Sequence, residues 1–306
     1  MIEIVQREGH TLDVLTVGDL RITVSRLGAE MVSLARRDAA GNWHGFLYRD
    51  GDVSKNASGW NNHSTLMGFY VHRILNEQTH YRRRAIRGST HSFLRRKIFS
   101  EPETTETSVE YRIAAEEFSP DEYPFKVDFS ICYQLEDGQL VVRFRFENRE
   151  DTESYVSFGL HPGFAGSDVT RMEILLPPGR YKRHFAPGNF LSSETEIIDF
   201  AGGPMPFPAS ELPGSFLLDL GEVPNRIFVV RDPVNGREST LDYSEAPYLT
   251  LWSDGGPFIC VEPCWGLPDH HVQRAFEDKL GMQIVPPHGS LERRFTIKPE
   301  LVPTPM

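Results

Sequence analysis

The stretch around Asp137-Gly138 constrains the fold more than any other part of the chain. Phe125, Val127, Phe129, Ile131, Tyr133 and Leu135 occupy odd positions before it, and Leu140, Val142, Phe144 and Phe146 occupy even positions after it. Alternation with period 2 marks a strand with one buried face. A two-residue Asp-Gly loop sets Leu135 opposite Leu140, Tyr133 opposite Val142 and Ile131 opposite Phe144, so both apolar rows share one sheet face. Turn chemistry and register agree, and a long antiparallel hairpin is expected.

Weaker signals of the same kind recur at residues 12–17 and 20–25 around Gly18-Asp19, and then at 109–113, 226–230, 239–243, 248–252, 258–261 and 291–297. Many short strands divided by turn residues predict an all-β chain folded as a large antiparallel β-sandwich. One helix is expected over Asp269 to Leu280, with Asp269 as cap, Val272, Ala275 and Phe276 on one face, and Gly281 as the stop. The Pro and Gly cluster from Pro204 to Gly214 reads as a long surface loop inside a single domain, residues 1–306, because strand signals continue on both sides.

Charge and composition narrow the function. The 306 residues carry 32 Lys and Arg against 43 Asp and Glu, a net charge of -11, which repels phosphate backbones and anionic lipid. Nucleic acid and membrane are therefore not expected partners. The chain has no apolar run long enough to span a bilayer and its first residues have no leader pattern, so a cytoplasmic location is expected. Cys132, Cys260 and Cys264 are too few for a disulfide framework and read as reduced thiols. There is no His-Glu-x-x-His, no second cysteine pair follows Cys260 and Cys264, and the adjacent His270 and His271 should point to opposite sides of a strand. No glycine-rich loop joins a strand to a helix, so neither a metal nor a nucleotide cofactor is expected.

One local anomaly is residues 78–100, with Arg82, Arg83, Arg84, Arg87, Arg95, Arg96, Lys97 and no acid. It reads as a solvated sheet edge or as forks for a sugar phosphate. Neighbours on a strand face opposite sides, so at most about half of these charges can converge on one ligand.

Four polar segments end or interrupt strand patterns: 66–73, 91–95, 157–164 and 260–269. Glu262 follows an apolar run and precedes Pro263, so it is expected at a strand end, as a general base or as an ion-paired terminus. His161, between Gly159-Leu160 and Pro162-Gly163, is expected in a tight turn, where its near-neutral pKa suits acid work, or as a structural histidine. Trp265 is placed either to stack on a sugar ring or in the core.

These segments, in this order, resemble the aldose 1-epimerase (galactose mutarotase) family, particularly its short bacterial branch. The resemblance starts at Leu27-Gly28-Ala29-Glu30, passes through Tyr123-Pro124-Phe125, Leu160-His161-Pro162 and Val261-Glu262-Pro263 to Gly266-Leu267-Pro268-Asp269, and closes over residues 281–297. It implies a cofactor-independent isomerase acting on a small-molecule sugar, with His161 as general acid and Glu262 as general base. Arg73 and His91 match substrate-binding positions, and Asp219, within Phe216-Leu217-Leu218-Asp219-Leu220, matches an aspartate that binds sugar hydroxyls. The sequence departs from the family pattern at Ser92, where His-Gly-Phe is usual, at His72, where a glycine precedes the arginine, and at Gly163 and Cys264, where aromatics are common. These changes alter pocket walls and leave sugar identity open. A hexose-6-phosphate 1-epimerase and a carbohydrate-binding protein without turnover are the alternatives.

Overall fold

The computed structural model describes residues 2–54, 59–205 and 214–303. Strand accounts for 53% and helical turns for 6% of the structure, in antiparallel sheets, as the period-2 reading requires. Val127–Glu136 and Gln139–Asn148 form the expected hairpin, with Leu135 opposite Leu140, Tyr133 opposite Val142 and Ile131 opposite Phe144. This hairpin joins a nine-stranded sheet, where Gln139–Asn148 also pairs with the closing strand Ser290–Leu301.

An eight-stranded sheet lies against it. Phe144 and Phe146 from the hairpin meet Phe158 and Trp265 across the gap, with ring centroids 4.6 Å apart for Phe146 and Phe158 and 5.7 Å for Phe144 and Trp265. Each such ring removed from water contributes about 1.5–3 kcal/mol, which fixes the two sheets face to face. A five-stranded N-terminal meander, Ile2–Arg7 through Trp43–Gly45, is tied to the hairpin side. Tyr111 donates to Asp13 at 2.9 Å and Tyr133 donates to the Ala29 carbonyl at 2.8 Å.

The helix expected over Asp269 to Leu280 does not form. Only Phe276–Asp278 makes a single 3-10 turn, and Val272, expected on the buried face, is 56% exposed. Tertiary bonds outcompete the helical ladder: the Asp269 carboxylate is taken by Lys279 and by the Leu75 N–H, and Thr79 donates to the Arg274 carbonyl. His270 and His271 are not split across a strand either, their ring centroids lying 4.2 Å apart. Residues 206–213 of the expected surface loop lie outside the described residues. Before them Gly203–Pro204 pairs in the nine-stranded sheet, and after them Phe216–Glu222 enters the eight-stranded one. We propose a single domain on this continuity. No helix among the described residues is long and apolar enough to cross a membrane.

Candidate active site

The centre of the eight-stranded sheet is built from Tyr248–Trp252, Phe258–Trp265, Ser154–Ala165 and Ser64–Phe69. Ser154–Ala165 pairs with Phe258–Trp265 at Phe158 with Trp265, at Gly159 with Cys264 and again at Gly163 with Cys260. Between these points Pro162 and Pro263 withhold their N–H groups and the ladder lapses. The register nevertheless carries through, and it sets His161 directly opposite Glu262. Both residues therefore lie within strands, not in a turn or at a strand end as their prolines suggested. A proline forfeits its own ladder bond, and here pairing on both sides of the gap keeps the strands straight.

His161 Nε2 lies 3.3 Å from Glu262 Oε1, and both side chains are buried. They project from the face of the sheet turned away from the aromatic core, into a cavity of about 300 Å³. That volume is at the small end of ordinary ligand sites, about 300–1,000 Å³, and suits a single sugar ring. Trp60 stacks on the His161 ring at 5.0 Å, Trp252 meets it edge-on at 5.5 Å, and His91 at 5.4 Å. Arg73, Arg95, His72 and Asn189 are among the other polar residues of the wall, with Asn62, Thr90 and Ser215. Gly163 makes room for the Trp60 ring, since a Cβ there would come within 2.5 Å of it.

Burial sets the proton balance. Desolvation, reinforced by the nearby His72, pushes the His161 pKa down to about 3, and desolvation alone raises that of Glu262 well above the usual carboxylate range. Burial also lowers His72 to about 4 and holds His91 well below its ordinary value. The pair therefore holds its exchangeable proton on Glu262, beside a neutral imidazole. A carboxyl and an imidazole 3.3 Å apart can pass that proton between them, given a ligand whose hydroxyls stabilise the charged form.

A family model described as aldose 1-epimerase matches residues 13–179. This chain belongs to that family. Protein LacX of Lactococcus lactis subsp. lactis, in its plasmid form, is 25% identical over 224 residues, 68% of this chain and 73% of LacX. A galactose mutarotase related enzyme from Lactobacillus acidophilus superposes with a TM-score of 0.83 at 20% identity, covering 94% of this chain and 96% of that one. A galactose mutarotase-like protein from Lactobacillus casei gives 0.80 at 22% identity, covering 94% and 100%. The two superpositions show the shared fold.

Membership in the aldose 1-epimerase family gives the departures a physical meaning. His72 has φ +56° and Ser92 has φ +63°, so both stand in the left-handed region where the usual glycine would be unstrained. His91 and His72 lock these two turns together: the His91 N–H donates to the His72 carbonyl at 2.7 Å, and the His72 N–H donates to His91 Nδ1 at 3.1 Å. At Gly163 the aromatic missing from the sequence position is supplied from outside the strand by Trp60. Leu27-Gly28 props the site from behind, since Gly28 abuts the Arg95 carbonyl and its N–H donates to the Lys97 carbonyl at 2.7 Å.

Of the six residues singled out from the sequence, His161, Glu262, Arg73 and His91 line the cavity, whereas Asp219 and Trp265 do not. Trp265 is three residues from Glu262 and so faces the other way, into the core, stacked on Phe158 at 5.0 Å. Asp219 shares the outer face with Glu262 but pairs with Tyr248, one row along and two strands away, and accepts from the Gly221 N–H at 2.8 Å. Sequence reasoning missed Trp60 and Trp252. Trp252 was findable: in a hairpin of 248–252 with 258–261 it falls on the same face as Thr250, which opposes Glu262. Trp60 lies in a loop with no periodic signal. The arginine cluster divides, with Arg82, Arg83 and Arg84 lining a separate concavity of about 680 Å³ while Arg95 reaches the cavity. Metal-ligating atoms also converge in a way that local spacing hides: among the described residues, His72 with Glu262 and Cys264, and His161 with Cys260 and Glu262, each bring three donors within 4.8 Å of one another.

Proposed function

We propose that the chain interconverts the α and β anomers of a free aldose. The observation that carries this reading is the buried His161 and Glu262 pair, 3.3 Å apart, facing one aromatic-walled cavity. In the proposed cycle, sugar hydroxyls replace the missing solvation of the pair and the shared proton moves to His161. Glu262 then takes the proton of the C1 hydroxyl while His161 gives its proton to the ring oxygen. The bond from C1 to the ring oxygen breaks, leaving the open-chain aldehyde. Rotation about the C1–C2 bond and reclosure on the other carbonyl face return both protons. Each group contributes about 10²–10⁴ in rate. Arg73 and His91 act as hydrogen-bond donors to ring hydroxyls, Trp60 and Trp252 present faces to the apolar side of the ring, and the cycle calls for no cofactor.

The test is polarimetry on freshly dissolved α-anomers of glucose and galactose. Catalysed mutarotation is expected, and Glu262→Gln and His161→Asn should each lower it at least about a hundredfold with circular dichroism unchanged. Binding without turnover in the wild-type chain would make it a carbohydrate-binding protein instead.

A hexose-6-phosphate substrate is the second reading, favoured by Arg73 and Arg95 in the cavity wall, where Glu262 is the only carboxylate among the described lining residues. Comparing free sugars with their 6-phosphates at low and high ionic strength decides between them. A preference for the phosphate that fades with salt and is lost in Arg95→Ala, but not in Arg83→Ala, supports the second reading. Higher kcat/KM for the free sugar with little salt dependence supports the first.

A further inference from the structure

The outer row of the Phe258–Trp265 strand runs Phe258, Cys260, Glu262, Cys264, so a thiol flanks the cavity carboxylate on either side. At the Cys264 end stands His72. Its Nε2 lies 3.3 Å from the Thr250 hydroxyl, which lies 3.6 Å from Cys264 Sγ. One donor atom each from His72, Glu262 and Cys264 fall within 4.8 Å of one another, and all three residues are buried. The Glu262 carboxyl is wholly shielded from solvent, and neither of its oxygens has a hydrogen-bond partner among the described residues. An orphaned carboxyl at that depth costs free energy that a bound group would relieve.

We propose that His72, Glu262 and Cys264 form a binding site for a thiophilic divalent cation of the zinc type. Imidazole, thiolate and carboxylate are the ligands zinc takes, at about 2.0–2.3 Å in tetrahedral geometry, which requires donors about 3.5 Å apart. Side-chain rotations that draw the three together by about 1 Å reach that spacing. Cys264 loses its thiol proton and Glu262 its carboxyl proton to solvent as the bonds to the metal form. Thiolate and carboxylate together then neutralise the ion's two charges, which offsets the repulsion from Arg73 and Arg95. His72 is held for this role by its two hydrogen bonds with His91, and the Thr250 hydroxyl is left to donate to the thiolate. In the competing set, His161 with Cys260 and Glu262, the imidazole is stacked against the Trp60 ring. His72 and Cys264 are both positions where this sequence leaves its family's pattern, so the site is a property of this chain. An ion seated there occupies Glu262, and inhibition of mutarotation by zinc follows; that consequence rests on the function proposed above, whereas the binding does not.

The test is a cobalt(II) titration of the full chain carrying Cys132→Ser, which removes the partly exposed thiol. One cobalt per chain is expected, with a thiolate-to-cobalt charge-transfer band that zinc displaces. Affinity should fall at least about tenfold in Cys264→Ser and in His72→Gly, and stay unchanged in Cys260→Ser. The His72→Gly variant guards against misfolding, because glycine suits φ +56°. Absence of the band, or a band that survives Cys264→Ser and disappears in Cys260→Ser, would overturn the proposal. Zinc that binds at this site without slowing mutarotation would count against Glu262 as the base and leave the metal site standing.

Discussion

The two faces of the Phe258–Trp265 strand are built to different standards. On the inner face, Ile259, Val261 and Trp265 join the continuous core, and the Val261 carbonyl accepts from the Tyr243 hydroxyl at 2.9 Å. On the outer face, neither Glu262 oxygen is hydrogen-bonded, although His161 Nε2 lies 3.3 Å from Oε1, and His161 Nδ1 has no hydrogen-bond partner. Both faces are equally hidden from solvent, so burial alone does not distinguish them. What distinguishes them is which polar groups stay unsatisfied: on the inner face the Trp265 Nε1 alone, on the outer face a whole carboxyl. A face of packed rings and aliphatic chains specifies the fold, and one carrying an unsatisfied ionisable group holds free energy in reserve for a ligand.

Breaking the inner face should have the largest effect, and on stability. Trp265→Ala removes a ring packed between Phe158 and Phe144 and should cost about 3–5 kcal/mol in chemical denaturation. A loss below about 1 kcal/mol would mean that Trp265 is not a core residue. On the outer face, Gly163→Ala drives a methyl into Trp60, so kcat/KM for mutarotation should fall about tenfold to a hundredfold while the melting temperature changes little. Equal activity would remove Trp60 from the binding surface.

The buried histidines sharpen the contrast through pH. His72 titrates near 4 when folded and near 6.5 when unfolded, so the unfolded chain binds more protons in that window. Its contribution to stability is complete above pH 6.5 and is lost as pH falls towards 4. His72→Gly should therefore reduce the slope of unfolding free energy against pH, relative to wild type, by up to about 1.4 kcal/mol per pH unit between those limits. An unchanged slope would mean that His72 is charged in the folded state. The smallest effect is expected from Ser92→Gly, which relieves a left-handed backbone and should stabilise by about 1 kcal/mol after the extra unfolded-state entropy of glycine is deducted.

The same division governs what the sequence discloses. The hairpin was legible to the residue because its information is local: an Asp-Gly turn and two rows in phase with it. His161 and Glu262 were identifiable as candidates, but their prolines were misleading about the strands that carry them. Trp265 stood open between a sugar-stacking role and the core, and its core place became plain only from the strand register, which sets it on the opposite face from Glu262. Trp60, His72 and Arg95 come from three separate loop and turn segments, and their convergence on the cavity is a product of the tertiary fold that no periodicity records. The 269–280 segment shows the converse, a helical pattern outweighed by the bonds of Asp269 and Thr79 across the fold.

The central claim is that His161 and Glu262 work as one proton-exchanging unit. Polarimetric rate constants for His161→Asn, Glu262→Gln and the double variant test it most directly. Each single change should cost at least about a hundredfold, and the double variant should be scarcely slower than the worse single one, because removing either partner already disables the unit. Losses that multiply in the double variant, or near-normal turnover in either single one, would contradict it.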